Sequence, residues 1–169
     1  MNVRQASQLT ICLDEAYEDL RQRFLGAVPL FNAARLNEFV ERRASWSEVV
    51  ADADATAPHG FFVYWSLDVG PSMALNSNTT KCCEYLMGNH TIAERMFRID
   101  ATAMLYVPLR IVIFQEEGGL TTFVIEKPSD VLGSLLNPEI DAVGIELDRK
   151  LAALFRHLAM PVPKDLAHE

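Results

Sequence analysis

The residues best placed to do chemistry gather around Gly88-Asn89-His90-Thr91. Thr91-Ile92-Ala93-Glu94 has capping-box spacing, which places a helix start between Asn89 and Thr91 with His90 in its first turn. Free backbone N–H groups and the helix dipole can there hold an anion or depress a histidine pKa. Asn89 and Thr91 are near enough in sequence to touch the same ligand. A plainer reading competes, in which Asn89 only caps the helix and His90 sits on the surface.

Arg110 is the second unusual placement. It interrupts Leu109-Ile111-Ile113 and shares a strand face with Val112 and Phe114. A cation in that position needs a carboxylate, a buried ligand anion or an exit to solvent, and structural pairing is the simpler outcome. Asp68, Glu84 and Asp100 are the candidate partners. Tyr64, with Phe62, Trp65 and Phe114, supplies aromatic surface that is core unless part of it lines a pocket. The expected ligand-binding set is therefore Asn89, His90, Arg110, Tyr64 and Asp68.

Other chemistries lack their residues. Cys82 and Cys83 are adjacent, so on a strand they point to opposite faces and chelate poorly; they read as core cysteines. Cys12 is distant, and no Cys-x-x-Cys spacing exists. His59, His90, His157 and His168 show neither helical nor zinc-motif spacing, so no metal site is expected. There is no Gly-x-Ser-x-Gly elbow; Gly133-Ser134 sits in a leucine-rich turn. Gly118-Gly119 belong to a hairpin turn, so phosphate-binding and dinucleotide loops are missing, and no cofactor is expected.

The chain has 169 residues, half of them hydrophobic and 22% charged, which suits one globular domain over 1–169. Fifteen basic residues against 23 acidic ones give a net charge of −8, with no basic cluster beyond Arg42-Arg43 and Arg149-Lys150. Neither nucleic acid nor an anionic membrane surface is an expected partner. Met1 to Ser7 carries Arg4, but Thr10 to Leu13 is too short for a signal peptide, and no apolar run reaches the length of a membrane helix. With so few cysteines a disulfide framework is not expected, and the chain reads as cytoplasmic.

Several elements must position these residues. Leu9 to Leu13 reads as a strand, and Asp14 to Leu25 as a helix through Tyr17, Leu20 and Phe24, stopping at Gly26. Pro29 suits a first helical position, with a helix running to about Arg43 and either extended or renewed after Ser45 by Trp46, Val49 and Val50. Asp52 to His59 reads as a loop. Phe61 to Asp68 is apolar on both faces and reads as a central strand. Lys81 to Met87 is a further strand, and Leu109 to Gln115 pairs with Leu120 to Glu126 as a hairpin. Asn137-Pro138 starts a long amphipathic helix that reaches about Leu158.

Tyr85 to Ala93 resembles the strand, Gly-Asn-Pro, helix signature of the domain-of-unknown-function 302 family. Leu105 to Val112 is similar to its aliphatic-Pro-Leu-Arg strand, Lys127-Pro128-Ser129 to its strand-closing proline, and Phe62 to Val69 to an earlier strand. The resemblance covers about residues 61–158. It implies an α+β fold, with a curved antiparallel sheet packed against helices and a long C-terminal helix, in TATA-box-protein-like outline. It brings no activity. Two departures stand out: His90 replaces the signature proline, and the segment from Val28 to Thr56 is expanded.

Three functional readings remain. The leading one is a protein binding a small apolar or anionic ligand in a cleft between sheet and helix. The second is a homodimeric, non-catalytic interaction protein acting through a sheet edge or the Val28 to Val50 helices. The third is a small enzyme using a histidine acid/base, which requires a carboxylate within reach of His90.

Overall fold

The computed structural model describes residues 6–166. Arg4 and His168, both named above, lie outside them. Five strands form one open antiparallel sheet: β1 (Gln8–Leu13), β2 (Phe62–Asp68), β3 (Lys81–Gly88), β4 (Leu109–Gln115) and β5 (Thr121–Glu126). Their spatial order is β1-β5-β4-β3-β2. The helices are α1 (Tyr17–Ala27), α2 (Ala33–Glu41), α3 (Trp46–Thr56), α4 (Gly70–Met73), α5 (His90–Phe97), α6 (Pro128–Gly133) and α7 (Pro138–His157).

The inner sheet face carries Leu9, Ile11, Tyr85, Ile111, Ile113, Phe123 and Ile125, all buried. Tyr17, Leu20 and Phe24 recur on one side of α1 and enter the same core. Phe24 meets Tyr85 and Phe123 edge-on at 5.1 and 5.9 Å. The stripe of α7, from Ile140 through Leu147 and Leu151 to Phe155, completes it. Asn137 caps α7 through the amides of Glu139 and Ile140, as its Asn-Pro start predicts. No helix among the described residues is long and apolar enough to cross a membrane.

Four expectations change. Gly26 lies inside α1, which runs on to Ala27. Pro29 is not helical. Its carbonyl accepts from the Val63 amide, and Phe31 N–H donates to the Val63 carbonyl, so this stretch lies alongside β2 before Asn32 caps α2. Asp52 to Thr56 is the second half of α3 rather than a loop, because alternating alanines favour a helix that Ser45 and Glu48 start with a full capping box.

The most consequential change concerns β2, which is an edge strand and not a central one. Its first residues are apolar on both faces for another reason. Val63 joins the main core, while Phe62 packs with Ala53, Ala57, Phe31 and Tyr64 in a second cluster built by α3 and the chain before α2. Beyond Tyr64 the strand is exposed.

The α6–α7 packing depends on Gly144, where an added Cβ would lie 2.9 Å from the Ser129 Cα. Asp148, fully buried one helical turn along, accepts a hydrogen bond from the Ser129 amide at 3.0 Å and fixes the same approach. Gly144→Val is expected to lower stability by about 1–3 kcal/mol through overpacking, read as a lower urea midpoint at unchanged slope.

Candidate functional site

The site begins where β3 ends. Asn89 adopts extended backbone and caps α5, its Oδ1 accepting from the Thr91 amide at 2.9 Å and the Thr91 hydroxyl at 2.8 Å. Its Nδ2 donates to the Gly60 carbonyl at 3.1 Å, tying the helix start to the turn that precedes β2. The cap is thus Asn89 itself, with Thr91 as recipient. At 8% exposure, with both ends of its amide engaged, Asn89 positions the site.

His90 follows as the first residue of α5 and is half-buried. Its ring sits 5.4 Å from Phe31 and 5.9 Å from Phe62, centroid to centroid. Tyr64 stacks on the same Phe31 at 4.3 Å, and its hydroxyl lies 3.0 Å from His90 Nδ1. A bulge between Val63 and Trp65 shifts the strand register at Tyr64.

Burial holds the His90 pKa below its ordinary value, with Asp52 opposing the shift. Burial also pushes the Tyr64 phenol up to about 12, opposed by the His90 backbone amide. At neutral pH the pair is therefore a phenol and a neutral imidazole. When the phenol donates to Nδ1, the ring's own proton resides on Nε2. In that tautomer His90 is left as a hydrogen-bond donor.

Two cavities share His90 as a wall. The first, of about 290 Å³, lies between the ends of β3 and β4, α5, the Met104–Pro108 segment and Leu147 of α7. Its surface is Ile92, Ala93, Met96, Met104, Val107 and Leu109, and its polar side chains are Tyr64, Asn89 and His90. The second, of about 370 Å³, is enclosed by the Pro29–Asn32 stretch, α2 and α3, and contains Arg35 and Asp52. Arg35 Nε and Nη2 both donate to Asp52 Oδ1, at 3.1 and 2.8 Å, and its guanidinium lies over Phe39.

Of the five residues expected to contact a ligand, the structure brings together Asn89, His90 and Tyr64 and leaves two apart. Arg110 is 71% exposed on the opposite face of the sheet, its Nε bonded to Glu84 Oε1 at 2.9 Å. Asp68 lies at the far end of β2, accepts from the Gly70 amide at 3.3 Å and faces Arg21 Nη1 at 3.8 Å. Phe31, Arg35, Asp52 and Met104 join the site without any signal in their local spacing. Among the described residues no group of three or more histidines, cysteines or acids could hold a metal. Cys12, Cys82 and Cys83 are free thiols, the last buried. His59 and His157, unrelated in spacing, meet with ring centroids 4.1 Å apart.

An open five-stranded antiparallel sheet, helices on its inner face and a lipophilic cavity at the β3–α5 junction define the class of protein: a mixed α+β fold. The model of the domain of unknown function DUF302 matches residues 39–158, and the chain belongs to that family. The crystal structure of an uncharacterized conserved protein DUF302 from Bacillus stearothermophilus is similar in fold. Its TM-score is 0.63 at 15% identity, with 89% of this chain and 97% of that chain covered. A search of curated proteins returns no match.

The neutral His90 makes stability depend on pH. Its folded pKa is depressed from 6.5, and so is that of His59, through burial and the neighbouring His157. Below about pH 6.5 the unfolded chain therefore binds more protons than the folded one, so this contribution is complete above that value and lost on acidification. Melting temperature is expected to fall from neutral to mildly acidic pH. His90→Gln should flatten that slope, the remainder belonging to His59.

Proposed function

We propose that this protein binds a small, mainly apolar molecule in the cavity beside His90, between the sheet and the helices α5 and α7. The observation that carries the reading is a lipophilic cavity of about 290 Å³ with a single preorganised donor, the His90 imidazole held by Tyr64, on its wall. Small-molecule sites combine apolar walls with a few fixed polar groups, from roughly 300 Å³ upwards. This one is at the small end. A compact hydrocarbon or aryl skeleton bearing one hydrogen-bond acceptor matches it.

The charge pattern favours a neutral ligand over an anionic one. Arg35, the cation nearest His90 in the adjoining cavity, already spends its Nε and Nη2 on Asp52. Asp52 favours protonation of His90 electrostatically, yet the direct partner of the ring is the Tyr64 hydroxyl. This supports binding over histidine acid/base catalysis, which needs a carboxylate in hydrogen-bond reach. The reading takes residues 1–169 as one domain working in the cytoplasm, a setting that suits three free thiols.

Native mass spectrometry of the purified protein, followed by thermal-shift titration with small apolar carbonyl and ether compounds, tests the reading. Met104→Trp, which fills the cavity from its rim, should abolish binding without unfolding the chain. His90→Phe keeps an aromatic ring against Phe31 and Phe62 but removes the donor. The loss should be about 0.5–1.5 kcal/mol, up to roughly tenfold in affinity. Binding that survives Met104→Trp would put the ligand elsewhere.

A further inference from the structure

We propose that the sheet face opposite the helices is the surface on which two copies of this chain meet, face to face about a two-fold axis. Residues directly opposite one another in an antiparallel sheet share a face. Trp65 pairs with Leu86, Leu67 with Glu84, Glu84 with Val112, Val112 with Val124, and Cys82 with Phe114. All these side chains therefore point away from the core residues Tyr85, Ile111 and Phe123.

The resulting surface is unlike an ordinary solvated sheet face. A water-facing strand alternates apolar-in with polar-out, but β4 turns Val112 and Phe114 outward as well as Arg110. Trp65 and Leu67 are 44% and 48% exposed, and Leu86, Val112, Phe114 and Val124 are half-buried by one another. A shallow groove over Val112 and Val124 is walled by strand residues, and no helix among the described residues lines it. Single exposed apolar residues need no explanation, whereas a contiguous patch of this kind marks an interaction surface.

Three features choose a second copy as the occupant. The first is area. Five strands about 4.8 Å apart, with three outward rows nearly 7 Å apart, span roughly 500 Å² in projection. Side-chain relief brings this near the ~800 Å² per partner of a standard interface. The second is charge. Arg110 is paired with Glu84 of its own copy at 2.9 Å, so both signs sit together on this face and two copies can meet there without setting like charges against each other. The third is closure. A self-complementary face consumes itself after two copies, as an isologous dimer requires. The alternative at the β2 edge is less suited, because Pro29–Phe31 already occupies the hydrogen-bonding groups of Val63.

Sedimentation equilibrium of the full chain at micromolar concentration decides the matter. The expected result is a dimer that Val112→Arg weakens at least about a hundredfold, since each copy then buries an unpaired charge. Arg110→Glu, on a 71% exposed side chain that carries little risk to folding, should weaken it as well and leave the circular dichroism spectrum unchanged. A monomeric wild-type chain would overturn the proposal. So would a dimer that survives both substitutions, which would move the interface to an edge or to the helices. The ligand cavity lies on the other side of the sheet, so neither substitution should alter small-molecule binding, and the two proposals fail independently.

Discussion

The carboxamide of Asn89 is the constraint on which the site's geometry rests. Its oxygen satisfies the amide and hydroxyl of Thr91, and its nitrogen satisfies the Gly60 carbonyl. One nearly buried side chain thus sets where β3 gives way to α5 and how the turn into β2 lies against that helix. A buried donor or acceptor left unpaired costs about 1–3 kcal/mol, so all three bonds hold together or fail together. The position of His90, one residue on, follows from them.

What His90 does there is decided by desolvation. The ring is wedged against Phe31 and Phe62, and removing water penalises the imidazolium more than Asp52 favours it. The Tyr64 hydroxyl, 3.0 Å from Nδ1, is the direct polar partner of the ring. The shift of register at Tyr64 belongs to the same arrangement, since β2 must depart from regular pairing where the residue stacks on Phe31. An edge strand can absorb such a bulge with little loss, because only one ladder is disturbed.

Much of this was legible in the residues. The spacing around β3, α5 and α7 and the Gly118-Gly119 hairpin carry strong local signals, and the structure has those elements within a residue or two. The polar helix start at Asn89–Thr91 could be read as well, although which residue caps could not. The rest depends on long-range packing. Nothing in Phe61 to Asp68 tells a strand flanked by two sheet neighbours from one flanked by one neighbour and covered by α3 and the chain before α2, since both give apolar residues on each face. Asp52 to Thr56 looked like a loop because alternating Asp and Ala has no amphipathic period, yet the helix is held by its alanines and by a cap seven residues upstream. With that helix went the one clue to the Arg35–Asp52 pair. Arg110 was narrowed to three partners by chemistry, and only the β3–β4 register could select Glu84.

The two departures from the pattern this chain resembles prove to be one structural unit. His90 stands where that pattern has proline, and the ring is packed by Phe31, from the expanded segment, and by Phe62 beneath it. A proline at the first helical position would be sound on its own terms, since its missing N–H is unpaired there anyway. It could not accept from Tyr64 or present a donor to a cavity. Conversely, without the chain running from Pro29 through α3, Phe31 would not stack on Tyr64, and Phe62 would lose Ala53 and Ala57. An imidazole at position 90 would then lie in water, with its ordinary pKa and free of Tyr64. The histidine needs the helices to desolvate it, and it supplies in return a polar group on the wall that the two cavities share, which a proline could not.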